Sequence, residues 1–419
     1  GKMRIGTSLV EVGQYNEKVV LNALRRLGPA SQRDIAASTQ LSVQTVSAIV
    51  RHLLSIDVLR EIGTDFRGRG RPHVIVDLVP EAAYSIGVHV DPAVTSLVML
   101  DMKGRVVAFS DSDEPTLADP VEAMKQTAGR IRELAERTGV PEDRIVGVCM
   151  AVPGVVDVAN GSLRESVWLP EWQDAPLGAL LAEGLGAEKP IPVVKDTISA
   201  SIGECWVRGG GILDSTMVFV YLGAGIGLGL AVDGEPLAGA SGNSGEVGTI
   251  LKTLGMFEED SDGGLDNDPA LLVERAHGKG AIDGDLPPRA DHHAVREALH
   301  QVCDKAENGN QEARDILQAA AQRIATLTVG AVELIDADLI VLGGPYFKEL
   351  QPYYQKAVED LLAESATQRH RDVQIMESIM DEDAGAIGAA AVVLDRRYTP
   401  RSRRTRMETT PAKEATQEA

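Results

Sequence analysis

Residues 64–72 read Thr64-Asp65-Phe66-Arg67-Gly68-Arg69-Gly70-Arg71-Pro72, three arginines alternating with glycines. Guanidinium groups on so thin a ribbon suit the minor groove of a duplex, where A·T-rich tracts concentrate negative potential. The bland alternative is a solvated charged loop. A second constellation precedes it. A helix expected over 43–54, capped by Ser42, has Val46, Ile49, Val50 and Leu53 on its inner face and Gln44, Thr45, Ser47, Ala48 and Arg51 on its outer face, and with Ser42 these polar residues are the candidates to meet DNA. Short polar side chains near a helix start can reach base edges, and an arginine one turn on can reach a phosphate. The third constellation spans 217–250, MVFVYLGAGIGLGLAVDGEPLAGASGNSGEVGTI. Two apolar runs flank glycines at 223, 225 and 227, and Asp233-Gly234 marks a two-residue hairpin turn. Glycine at this density lets backbone amides approach a ligand. A hairpin rather than a helix follows the glycines, so a dinucleotide fingerprint does not fit.

These groups need a scaffold. Residues 16–27 carry Val19, Val20, Ala23, Leu24 and Leu27 at helical spacing before Gly28. Ser31 caps a short helix to 37 with Ile35 and Ala36 inward, and Ser42 caps the third. Strand-like runs at 58–62 and 73–78 then enclose the arginine ribbon, which makes the head a winged helix-turn-helix. Its first eighty residues hold eleven basic and seven acidic side chains, whereas the remainder holds thirty against fifty-five. A basic head on an acidic body points to a nucleic-acid module joined to something else.

In the body, strands are expected at 84–90, 95–100 and 106–109, and 217–238 repeats that plan. With helices at 120–137 and 311–335, this predicts an α/β domain with mixed sheets, duplicated around a cleft. A length of 419 residues exceeds one core. No apolar run reaches the roughly 18 residues that span a bilayer, and no signal segment opens the chain, so a cytoplasmic protein is expected. Cys149, Cys205 and Cys303 are too scattered for a disulfide framework or a metal site and read as buried hydrophobes.

The body resembles the ROK family of sugar kinases and sugar-responsive repressors, which has an actin- and hexokinase-like fold. The similar segments are 147–157 (GVCMAVPGVVD), 193–204 (VVKDTISASIGE), 221–248, 338–345 (DLIVLGGP) and 384–389 (AGAIGA), in family order. The head resembles the winged helix carried by the family's repressors. The resemblance implies a DNA-binding domain over 1–80 and a sugar-kinase-like effector domain over 81–395; beyond it the periodicity is lost, and an arginine-rich disordered tail is expected over 396–419. It places a ligand at Pro153, Gly154, Trp168, Asp196, Gly245 and Glu246.

Departures from the family set the expected function. Where family kinases carry Asp-Gly-Gly-Thr for ATP phosphates, the sequence has Asp91-Pro92-Ala93-Val94-Thr95, and proline supplies no amide. Lys195 and Ile198 replace asparagines beside Asp196, and Thr249 replaces a histidine after Glu246-Val247-Gly248. Trp168 stands where an asparagine usually meets the sugar, and both it and Trp172 can equally be core residues. The family's zinc loop is replaced by a cysteine-free acidic run ending at Asp268, read as a solvated loop, so neither metal nor cofactor is expected. Asp196 is therefore expected to bind a sugar rather than to catalyse. The expected protein is a repressor that binds an A·T-rich duplex as a homodimer or homotetramer under control of a sugar-derived effector. A sugar kinase with an accessory DNA-binding head, and a regulator without a ligand, are the alternatives.

Overall fold

The computed structural model describes residues 2–3, 14–66, 68, 70–92, 94–110, 116–166, 169–223, 225–253, 268–289 and 291–401. Helix α1 (Tyr15–Leu27) buries Val20, Leu21, Ala23 and Leu24. The apolar stripe is thus rotated from the expected one: Leu21 points inward and Leu27 is exposed. Strand β1 (Ala30–Ser31) leads into α2 (Gln32–Thr39), where Ser31 and Asp34 form a reciprocal capping box. Helix α3 (Val43–Ser55) is capped by Ser42 and buries Val46, Val50 and Leu53, while Ile49 is only half-buried. Strands β2 (Leu59–Asp65) and β3 (His73–Leu78) form a hairpin, and β1 joins it beside β3.

The first lobe of the body is built from β4 (Tyr84–Val90), β5 (Thr95–Asp101), β6 (Val106–Ser110) and α4 (Pro120–Thr138). It continues with β7 (Ile145–Val152), β8 (Val155–Asp157), β9 (Ser162–Glu165), α5 (Leu177–Leu185), β10 (Val193–Lys195) and α6 (Asp196–Arg208). The second lobe holds β11 (Met217–Leu222), β12 (Ile226–Val232), β13 (Glu235–Pro236), α7 (Gly248–Thr253), α8 (Pro269–Gly278) and α9 (His292–Glu307). After these come α10 (Gln311–Ile335), β14 (Leu339–Gly343), α11 (Phe347–Glu364), β15 (Gln374–Glu377) and α12 (Ala384–Tyr398).

The duplication is literal. One sheet runs β10-β7-β4-β5-β6 and the other, read from its opposite end, β15-β14-β11-β12-β13. In both, the first three strands are parallel and the last three antiparallel. Strand β11 shows the division of the interior. Met217, Phe219 and Tyr221 face the core shared with the first lobe and the head, while Val218, Val220 and Leu222 face the core of the second lobe.

Two buried helices join these parts. Every residue of α6 from Asp196 to Trp206 is buried, as is every residue of α12 from Ala384 to Asp395. Glycines permit the contact: a Cβ on Gly388 would lie 2.5 Å from the Ser199 carbonyl oxygen, and one on Gly87 2.0 Å from that of Ala386. Ser85 Oγ donates to the Ala390 carbonyl across the same seam (2.8 Å). The fully buried Glu204 of α6 accepts from Ser378 Oγ at 2.7 Å, the Ile379 amide at 3.0 Å and Arg208 at 2.8 Å, so its charge is fully compensated.

The body does not end at 395. Helix α12 continues to Tyr398, and Arg401 pairs with the buried Asp395 at 2.6 Å. The expected tail boundary at 396 therefore falls inside a helix, because arginines read as loose charge belong to its last turn or pair back onto it. Residues 402–419 lie outside the described set, as do 254–267 of the acidic run. Asp268, the end of that run, is buried rather than solvated. Cys149 and Cys205 are buried as expected, whereas Cys303 is half-buried. Trp172 is a core residue whose indole donates to the Leu117 carbonyl at 3.1 Å. No described helix is long and apolar enough to cross a membrane.

Candidate functional site

A cavity of about 210 Å³ opens where the two lobes meet. The first lobe contributes Asp91 at the end of β4, Pro153 and Gly154 after β7, Glu165 at the end of β9, and Lys195, Asp196 and Thr197 at the junction of β10 and α6. The second lobe contributes Tyr221, the glycines at 225 and 227, Glu246, Gly248 and Asp268. Strand ends and a helix start thus converge on it from both halves of the duplicated fold.

Asp196 opens α6 and is 5% exposed. Its carboxylate lies 3.2 Å from Nε2 of the buried His89, and the Tyr221 hydroxyl lies 3.4 Å from the same nitrogen. Burial alone would lower the His89 pKa. The Asp196 hydrogen bond and the charges of Asp196, Asp91 and Asp383 outweigh it, and the pKa is raised. Burial, reinforced by Asp196 and Asp91, pushes the Tyr221 phenol well above its ordinary range, so it stays protonated and can donate. His89 was not singled out in the sequence; no local spacing links it to a partner 107 positions away.

Lys195 is 3% exposed. Its ammonium donates to the Gly154 carbonyl at 2.6 Å and to Glu246 Oε2 at 2.5 Å. This contact crosses between the lobes. A second tie lies beside it: Asn243 Nδ2 donates to the Val156 carbonyl, and the Val156 amide donates to Asn243 Oδ1, both at 2.8 Å. Sequence reasoning missed Asn243, and saw in Lys195 only a lost asparagine.

Gly154 and Gly245 are required by backbone and space together. Their φ angles are +95° and +80°. A Cβ would lie 2.4 Å from the Glu165 carbonyl oxygen at the first and 1.8 Å from that of Leu228 at the second. Of the six expected ligand residues, Pro153, Gly154, Asp196 and Glu246 line the cavity, and Gly245 adjoins it. Trp168 lies outside the described residues. At the turn after β4, the Asp91 amide donates to the Val94 carbonyl and the Val94 amide returns to Asp91, both at 3.1 Å. Those two amides are consumed by the turn and do not face a ligand.

On the head, Ser42 accepts from the Thr45 amide at 3.1 Å, and the two hydroxyls are 2.8 Å apart. Both are engaged in capping α3. Gln44 and Arg51 are exposed, Ser47 is half-buried, and Arg71 is exposed in the β2–β3 hairpin. Arg67 and Arg69 lie outside the described residues.

The head is fastened to the body by Arg25 of α1. Its guanidinium stacks over the Trp206 ring at 3.6 Å and donates to the Cys205 carbonyl at 3.2 Å and to Thr399 Oγ1 at 3.5 Å. Burial lowers its pKa to about 10, against the opposing pull of Asp395, so it remains charged. Arg26 adds an ion pair with Asp214 at 3.1 Å.

Comparison with known proteins fits this architecture. The profile of the ROK family matches residues 86–396. The DNA-binding transcriptional repressor Mlc of Escherichia coli is 22% identical over 395 residues, covering 93% of this chain and 95% of the relative. A solved ROK family transcriptional regulator, a homologue of that protein, superposes with a TM-score of 0.67 at 18% identity, over 92% of this chain and 97% of its own. A ROK family glucokinase from Streptomyces griseus, solved with glucose and AMPPNP, gives 0.61 at 19% identity, over 74% and 99%.

Proposed function

The chain belongs to the ROK family, and from that premise we propose that it is a sugar-responsive, DNA-binding transcriptional repressor acting in the cytoplasm. On this reading the head is a winged helix-turn-helix. Helix α3 enters the major groove, with Gln44 and Ser47 toward base edges and Arg51 on a phosphate. The hairpin carries Arg67, Arg69 and Arg71 to an adjacent A·T-rich minor groove. A partly symmetric operator would be met by a dimer or tetramer. Pro153, Gly154, Asp196, Gly245 and Glu246 hold a small polyhydroxyl effector, with Trp168 beside it.

The observation that carries the reading is the bond between Arg25 and the far end of α6. Asp196 begins that helix in the cavity, and Cys205 and Trp206 end it against the head. An effector that favours one arrangement of the lobes thereby favours one arrangement of the heads.

A kinase reading is less well supported. Pro92 offers no amide to a phosphate, the turn engages those of Asp91 and Val94, and the cavity's lining residues carry five carboxylates against one lysine. A phosphorylation assay with ATP across hexoses separates the two. Turnover that disappears in Asp196→Asn would make the protein a kinase.

The DNA assignment is tested with the full chain by fluorescence anisotropy on A·T-rich duplexes across a salt series. Arg51→Ala should weaken binding and flatten the log–log salt slope by about 1, roughly 0.9 for its phosphate contact, and Arg71→Ala should weaken binding further by removing a minor-groove contact. Unchanged isotherms would remove the assignment.

A further inference from the structure

We propose that the two lobes are latched together without any effector, with Lys195 as the bolt, and that a ligand opens the latch by taking Glu246 from it. What opens the latch rests on the reading of the inter-lobe cavity as an effector site; the latch itself does not. Two short segments face each other across the cleft. The first lobe presents the Gly154 carbonyl and both main-chain groups of Val156. The second lobe presents 243–246, which is seated firmly on its own lobe. There the Ser244 amide donates to the Ala238 carbonyl at 3.0 Å, and the Leu228 amide donates to the Gly245 carbonyl at 3.3 Å. Bonds between segments so mounted hold lobe to lobe.

Lys195 bonds both segments at once, to the Gly154 carbonyl of its own lobe and to Glu246 of the other. Asn243 closes the same gap through its reciprocal bonds with Val156. The two ends of the bolt differ in access: the Lys195 side chain is 3% exposed and that of Glu246 45%. A ligand can therefore reach the carboxylate, while the ammonium is held in the interior. Withdrawing Glu246 leaves a buried cation without its counter-charge, which is costly, so the latch holds until something replaces the carboxylate. The replacement must donate to Glu246 and offer an acceptor to Lys195. A hydroxyl does both, whereas a carboxylate cannot donate and an alkyl group can do neither.

The test is hydrogen–deuterium exchange on the full chain with no sugar added, read at the peptide carrying the Val156 amide. That amide donates across the cleft to Asn243 and not to Lys195, so its exchange reports the latch rather than a lost local bond. Lys195→Met keeps an apolar stem and removes the buried charge. It should speed exchange at Val156 roughly tenfold, the size expected of one charge-assisted hydrogen bond, while β4 and β14 exchange as in wild type. Unchanged exchange at Val156 would overturn the latch. Should β4 and β14 speed up as well, Glu246→Gln replaces it under the same criterion, and an unchanged Val156 there overturns the latch. In wild type, a hexose or pentose that binds by calorimetry should speed exchange at Val156; one that binds and slows it would overturn opening by a ligand. Fluorescence anisotropy on the A·T-rich duplex separates the latch from the repressor reading. Lys195→Met should shift DNA affinity several-fold with no sugar present. Faster exchange with unaltered DNA affinity would leave the latch standing and remove the coupling of lobes to heads.

Discussion

Asp196 is the carboxylate around which the cavity is arranged, and its partner His89 gives that arrangement a pH dependence. A histidine whose folded pKa lies above its unfolded value of 6.5 binds its proton more tightly in the folded state. Its contribution is fully present below about pH 6.5 and is lost as the pH rises through the folded value. Urea unfolding across pH 5.5 to 9 should therefore show wild type losing stability relative to His89→Asn on the alkaline side. A difference profile that stays flat would mean that the histidine is buried neutral. Asp196, Glu246 and the two strained glycines were legible in the sequence, because they sit in short stretches with family spacing. His89, Lys195, Asn243 and Arg25 were not legible as partners. Each acts on a residue that the fold brings near from elsewhere in the chain, and neither spacing nor residue type encodes such a meeting.

At the level of elements, the least expected weight falls on α12. Its run of Ala and Gly reads as a modest helix, yet it packs against β4 and α6 with backbone nearly touching backbone. Gly388→Ala should destabilise the protein by about 1–3 kcal/mol, because the atoms in the way are main chain and cannot rotate aside. Gly129→Ala is the control. It lies exposed in α4 with nothing within 4 Å of the added methyl, and it should stabilise by about 0.5–1 kcal/mol through helix propensity alone. Thermal unfolding of the two variants checks both signs. Helix starts were readable because Ser31 and Ser42 are good caps, and strands because apolar runs ended in turns. The rotation of α1 was misread, since Leu21 and Leu27 are equally apolar and only the position of the body decides which is covered. The end of α12 was misread for a related reason: Arg396 and Arg401 look like solvated charge until Asp395 is found buried beside them.

For the whole molecule, the question is how a cavity in the body reaches a surface on the head. Helix α6 provides one route, about 14 Å from Asp196 to Cys205 at 1.5 Å per residue. It is packed along that length, so it moves as a unit or not at all. Glu204 ties its last turn to the segment after β15, and Arg25 ties its end to α1. The cavity and the head should then be coupled energetically through Arg25, and a double-mutant cycle measures this without knowledge of the effector. Asp196→Asn removes the charge at the cavity end. Arg25→Lys keeps the charge at the head end but loses the planar fork that bonds Cys205 and stacks on Trp206. In the wild-type background, Asp196→Asn should change DNA affinity several-fold, in line with coupling energies of about 1–3 kcal/mol. In the Arg25→Lys background the same substitution should change it little. Strictly additive effects would show that α6 is a structural beam without a signalling role. In that case the lobe-to-lobe ties at Lys195 and Asn243 would be the next route to sever.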